Sequence, residues 1–182
     1  ARRSGSARNL AGVYSPIAAT VHPGKLVRGL RRVALEMGIR IHERTPMLDF
    51  STAHPVVVRT PAGSVRAQKL VLAMNAWMAS RFAQFERTIA IVSSDMVITE
   101  RCPELLARSG LTDGVSVLDS RTFVYYYRST ADGRLMLGKG GNTFAWGGRM
   151  AKVFDERSPY EAELTQALRS FFPALSETPI TA

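Results

Sequence analysis

Residues 69–77, KLVLAMNAW, carry a continuous apolar run, Leu70-Val71-Leu72-Ala73, that breaks abruptly at Met74-Asn75-Ala76-Trp77. A short, uniformly apolar run predicts a strand covered on both faces, the arrangement found where helices flank a sheet. Small residues at the end of such a strand let something approach the backbone closely. That something is either a packed helix or a dinucleotide, and the run alone does not choose between them. No G-x-G-x-x-G follows any early strand, so the usual phosphate cradle does not occur in these 182 residues.

The surrounding pattern supports an α/β first half. His22-Pro23-Gly24-Lys25 opens a helix whose Leu26, Val27, Leu30, Val33, Ala34 and Met37 form one stripe. Gly38 ends it as a C′ residue with positive φ. Ile39 and Ile41 alternate with Arg40 and His42, predicting a strand that runs toward Met47. Residues 56–60 and 65–69 read as a hairpin around the turn 61–64. Residues 13–21, interrupted by Pro16, predict an edge strand or extended entry segment, and residues 77–85 an amphipathic helix.

The second half reads as α+β with a mostly antiparallel sheet. Residues 88–100 are β-rich and 103–109 form a helical turn. Strands are expected at 115–118, 122–128 and 134–138, the last two joined by Ala131-Asp132-Gly133. Ser158-Pro159-Tyr160-Glu161 reads as a capping box for a helix with Leu164, Leu168 and Phe171 inward, stopped by Pro173. The expected organisation is an entry segment at 1–20 on the edge of the second domain, a first domain over 21–88, a second over 89–173, and a return to the first at 174–182.

Charge and composition exclude several functions. The net charge is +9, but Arg2, Arg3 and Arg8 fall in a first decapeptide expected to be ragged. The other cations are scattered, apart from Arg28, Arg31 and Arg32 on the polar side of one helix. That is no basic stripe, so nucleic-acid binding is not expected, and a basic binding module is the lesser alternative. The single cysteine, Cys102, allows no internal disulfide and fits a cytoplasmic location. No apolar run approaches the ~20 residues of a membrane span. His22, His42 and His54 form neither H-x-x-x-H nor a cysteine cluster, so no metal site is expected. No G-x-S-x-G elbow occurs. The glycines at 138–141 and 147–148 lack the spacing of a phosphate loop and predict a strand ending in a flexible crossing or lid loop. Tyr125 and Tyr127 share one strand face while Tyr126 points to the other. That pair of phenols either lines a pocket or simply packs on the sheet, and the pattern weighs both equally.

Taken in order, VHPGKLVRGL, GIRIHERTPM, VVVRTPAGSVRAQKLVLAMNAW, DMVITE and YYYRSTADGRLMLGKG resemble the D-amino-acid-oxidase-like family of FAD-dependent oxidoreductases. The likeness is greatest to its gamma-glutamylputrescine-oxidase-type, amine-oxidising branch. The resemblance implies that the chain is a central fragment, with part of an FAD/NAD(P)-binding Rossmann-like domain and a mostly antiparallel-sheet substrate domain. It implies that Met47 lies near the adenosine part of FAD. Ala73, Asn75, Ala76 and Trp77 would form the cofactor-adjacent turn, where many members carry glycine in place of Asn75. Tyr125 and Tyr127 would face the substrate side of the flavin. Met136 stands where some relatives place a lysine that aids reaction with oxygen. The implied chemistry is hydride transfer from a carbon next to nitrogen to the flavin, hydrolysis of the resulting imine, and reoxidation by oxygen. The expected partner is a small amine or amino-acid-like substrate, with neither nucleic acid nor membrane. No residue stands out as catalytic. A non-catalytic remnant of the same fold is the alternative.

Overall fold

The helix expected after His22 forms as α1, Pro23–Glu36. His22 Nδ1 accepts from the Lys25 N–H at 3.3 Å and Pro23 occupies the first turn, where no backbone donor is needed. Beyond the C-cap Met37, Gly38 turns left-handed (φ 79), and the Ile39 N–H reaches back to the Ala34 carbonyl at 2.9 Å. The computed structural model describes residues 3–150 and 152–181. After α1 come β1 (Asp49–Phe50), β2 (Val56–Thr60), β3 (Gly63–Ala67), α2 (Trp77–Arg81) and β4 (Val92–Ile98). They are followed by α3 (Pro103–Arg108), β5 (Ser116–Leu118), β6 (Tyr125–Ser129), β7 (Leu135–Phe144) and α4 (Glu161–Phe171). The chain divides into two compact units, Val21–Met74 and the combination of Ala1–Thr20 with Asn75–Ala182.

Within Val21–Met74, β1, β2 and β3 form a three-stranded antiparallel sheet. The expected hairpin closes through Pro61 and Ala62, with Thr60 opposite Gly63. β1 had no sequence signal of its own. Asp49 Oδ1 accepts from Arg59 Nε at 2.6 Å across the pair. Two expected strands are absent. Residues 39–42 and 70–73 pair with nothing in this unit, and Val71, in the run read as doubly covered, is 84% exposed. An apolar run becomes a strand only when its backbone groups find a partner. No residue of this unit is buried, and the stripe of α1 lies open.

The other unit has a core. Its sheet runs β4-β7-β6-β5, antiparallel throughout. One face carries Val97, Leu137 and Tyr127 in register, and α4 covers it with Leu164, Leu168 and Phe171. The mixture of helix and sheet expected from the sequence is therefore present. Ser158 does not serve as the N-cap of α4: Tyr160 holds that position, the Ser158 hydroxyl accepts from the Tyr160 N–H at 3.1 Å, and Glu161 pairs with Arg157. The glycines at 138–141 lie within a strand, while Gly147 and Gly148 fall in a 3-10 turn beyond its end. β7 continues through Gly138, Gly140 and Gly141 to Phe144, and the left-handed Gly141 (φ 75) leaves room for the Phe123 ring. The helix expected over 77–85 breaks at Phe82 into α2 and a 3-10 turn at Ala83–Phe85. Residues 13–21 form no strand.

Residues 3–9, expected to be ragged, are not, while Arg2 lies outside the described residues. Ser6 is buried and its hydroxyl donates to the Phe171 carbonyl at 2.6 Å, 165 positions away. The Tyr127 hydroxyl donates to the Ser4 carbonyl at 2.6 Å and accepts from Asn9 Nδ2 at 2.6 Å. Gly5 is left-handed, and a Cβ there would meet Leu111 and the Ser109 carbonyl, so both its φ and its surroundings require glycine. Residues 3–9 thus strap the end of α4 to the centre of the sheet. At the other end of the chain, Ile180 bridges to Thr99 just beyond β4.

Candidate functional site

Strand alternation gives the sheet of the larger unit a second face that no described helix of that unit covers, carrying Ser94, Met96 and Ile98 of β4, Met136, Gly138 and Gly140 of β7, and Tyr126 and Arg128 of β6. Tyr126 lies across the central strand from β6 to β4, where its hydroxyl and that of Ser94 are 2.7 Å apart. Gly138 makes this possible, since a Cβ there would stand 2.3 Å from Tyr126 Cζ. One residue pair along, Arg128 lies opposite Met136, which lies opposite Ile98. Arg128 has no ion pair among the described residues. The face therefore combines two coupled hydroxyls, one guanidinium and a floor of thioether and aliphatic groups. Such a surface can orient an amine and attract a carboxylate.

Tyr125 and Tyr127 stand on the opposite, α4-covered face. Tyr127 is 2% exposed, edge-on to Phe172 with centroids 5.0 Å apart, and its hydroxyl is taken up by Ser4 and Asn9. Burial pushes its pKa up, against the two hydrogen bonds, which act to lower it. In this structure its phenol is a core group and not a pocket wall. The expectations for Met136 and for this tyrosine pair cannot both hold for one side of the sheet. The tight 130–134 connection pairs 129 with 135, so 126, 128, 136 and 138 share one face while 125, 127, 137 and 139 share the other. Counting outward from that turn would have selected Tyr126 from sequence. The cross-strand Ser94 and the unpaired Arg128 had no such local signal.

The remaining expected positions are divided between the units. Met47 is half-buried just before β1, and Ala73 is exposed at the end of the same unit. Asn75, Ala76 and Trp77 begin the other unit: Asn75 is left-handed (φ 49) and its carbonyl accepts from the Met78 N–H at 3.1 Å, Ala76 caps α2, and Trp77 is its exposed first residue. Behind the sheet, Asp95 accepts from Ser93 at 2.6 Å and from Asn142 at 2.9 Å, and Asn142 accepts from Lys139 at 2.5 Å. Burial alone would push the Asp95 carboxyl up. Hydrogen bonds from Ser93, Ser158 and Asn142, with the Lys139 charge, outweigh it and hold the group below the usual carboxylate range. Among the described residues no cluster of three His, Cys, Asp or Glu could hold a metal, and no helix is long and apolar enough to cross a membrane.

A family model described as "FAD dependent oxidoreductase" (DAO) matches residues 1–182. The chain belongs to the DAO family. Among curated members, it is 30% identical over 139 residues to the probable oxidoreductase OrdL of Haemophilus influenzae, a match covering 74% of this chain and 32% of that protein. It is 31% identical over 121 residues to the gamma-glutamylputrescine oxidoreductase of Escherichia coli, covering 66% of this chain and 28% of that enzyme. The chain thus spans about a third of the length of these relatives. The crystal structure of glycine oxidase from Geobacillus kaustophilus shares the fold, with a TM-score of 0.58 at 20% identity over 86% of this chain and 39% of that one.

The DAO family implies FAD, and the residues present fit part of it. The turn at 73–77 has small side chains at Ala73 and Ala76 and a left-handed asparagine at 75, features that leave its backbone open there to close approach by a planar group. The uncovered sheet face suits a wall beside a reacting ring. A diphosphate cradle is not among these residues: the N-terminus of α1 is closed by His22 and Pro23, and no glycine fingerprint precedes it.

Proposed function

We propose that this chain is part of an FAD-dependent oxidoreductase that oxidises the C–N bond of a small amine or amino-acid-like substrate. The observation that carries the reading is the uncovered sheet face, with the Tyr126–Ser94 hydroxyl pair beside Arg128 and the apolar Met96, Ile98 and Met136. Family membership and the likeness to an enzyme named gamma-glutamylputrescine oxidoreductase support it. FAD, when bound, accepts the hydride from the carbon next to nitrogen. Met47 and the turn of Ala73, Asn75, Ala76 and Trp77 are the residues proposed to hold it. The role of this chain's own side chains is to position the substrate. The Tyr126 and Ser94 hydroxyls orient the amine, and Arg128 attracts a negative group on the same molecule. Met136, in place of a cation, favours an electron acceptor other than oxygen.

The visible absorption spectrum of the protein purified from its whole reading frame tests the proposal. A bound-flavin spectrum that bleaches anaerobically with an amine or amino acid is the expected result; a colourless, well-folded protein would refute it. Oxygen uptake compared with dye reduction by the bleached protein then identifies the acceptor. The 182-residue chain by itself, lacking a diphosphate cradle, is expected to retain no stoichiometric FAD.

A further inference from the structure

On the α4 side of the sheet, away from the face just described, an open cleft of about 580 Å³ lies between β6, the last turns of α4 and the strap at residues 3–9. Three cations from distant parts of the chain line it: Arg8 from the strap, Arg121 from the loop before β6, and Lys139 from β7. Arg8 bonds to the neutral Ser170 hydroxyl, and its guanidinium lies 5.0 Å from the centroid of Phe171. Arg121 is 4.9 Å from the centroid of Tyr125 and forms an ion pair with Asp119 at 2.9 Å. The two rings are themselves 5.8 Å apart, so both guanidiniums are seated on one aromatic platform. Lys139 bonds to the neutral Asn142 amide at 2.5 Å. Neither Arg8 nor Lys139 has a carboxylate within ion-pair distance among the described residues. Glu163 is the one acidic residue lining the cleft, and Gln166 and Ser170 add neutral polar groups.

We propose that this cleft binds the phosphate group of a small phosphate monoester, or phosphate itself. Three cations converging from three elements match a tetrahedral dianion with three free oxygens, and arginine forks suit it better than point charges do. Positions on aromatic faces hold the guanidiniums ready at little further entropic cost. Glu163 repels every anion that enters, a dianion more than a monoanion, and leaves useful affinity only to those that engage all three cations. The site is separate from the proposed oxidoreductase face, since Tyr125 and Lys139 project from the sheet opposite to Tyr126.

Phosphorus NMR titrations of the protein purified from its whole reading frame with inorganic phosphate and with glycerol 2-phosphate, using glycerol as the uncharged control, test this directly. Saturable binding of either phosphate and none of glycerol is expected, and a preference between the two distinguishes free phosphate from an ester. Arg121→Ala should weaken binding about tenfold or more, as loss of one charge-assisted fork does. Glu163→Gln should tighten it several-fold, an effect that no loss of folding can mimic. Thermal midpoints of both variants check that the fold is kept. Absence of saturable binding, or affinity unchanged in both variants, would overturn the proposal.

Discussion

α1 and α4 are built to the same recipe, an apolar stripe at helical spacing on an otherwise polar helix, yet they meet opposite fates. Leu164 and Leu168 of α4 are 0% exposed against the sheet, while Leu30 in the middle of the α1 stripe is 59% exposed. The helices differ in what surrounds them. α4 has four antiparallel strands under it and a strap across its end; the three-stranded sheet of Val21–Met74 buries no residue at all. Amphipathic patterning specifies a face to be covered but not the element that covers it, and most helix stability comes from that covering.

The same substitution on both helices would break this contrast if it is wrong. Leu168→Ala should lower the stability of the larger unit by about 2–5 kcal/mol, as truncation in a packed core does, whereas Leu30→Ala should change it by less than about 0.5 kcal/mol. Equilibrium urea unfolding of the two variants measures both, and equal effects would mean that the stripe of α1 is covered in solution. Tyr127→Phe keeps the ring against Phe171 and Phe172 but leaves the Ser4 carbonyl and the Asn9 amide without their partner. A loss of about 1–3 kcal/mol is expected, with faster proteolysis within residues 3–9 as the accompanying sign. The smallest effect concerns pH. A carboxyl held lower in the folded than in the unfolded chain binds its proton less readily when folded, so Asp95 contributes stability above the unfolded value of about 3.9. That contribution disappears as pH falls through the folded value. Asp95→Asn should therefore flatten the decline in stability below about pH 4 while changing its shape little near neutrality, as followed by urea midpoints across that range.

Local signals were legible in the sequence and pairing was not. The His22 cap, the Gly38 stop and the 56–60 strand of the hairpin each depend on residues within a few positions of one another, and each formed. Residues 39–42 and 70–73 have strand composition but no partner in their unit, and composition cannot supply one. β1 has only two residues, and its ties to β2 are backbone bonds from Leu48 to Arg59 and from Ser51 to Val57 with the Asp49–Arg59 pair beside them. At the site, alternation correctly separated Tyr126 from Tyr125 and Tyr127. Which face stays open was decided by α4, more than thirty residues further on. The strap was hidden for a similar reason, since Ser4, Ser6 and Asn9 are ordinary polar residues whose partners lie more than a hundred positions away.

The strap also sets an order of events during synthesis. Residues 3–9 leave the ribosome before the groups they bind, and the Phe171 carbonyl that receives the Ser6 hydroxyl emerges 165 residues after Ser6. At cellular rates of translation that interval is on the order of ten seconds or more. Throughout it Ser6 lacks that partner, and the whole Val21–Met74 unit is made in between. The larger unit therefore closes as a late, long-range event whose loop must be drawn in at one step. For that interval residues 3–9 are undocked and open to any chaperone or protease that acts on the nascent chain.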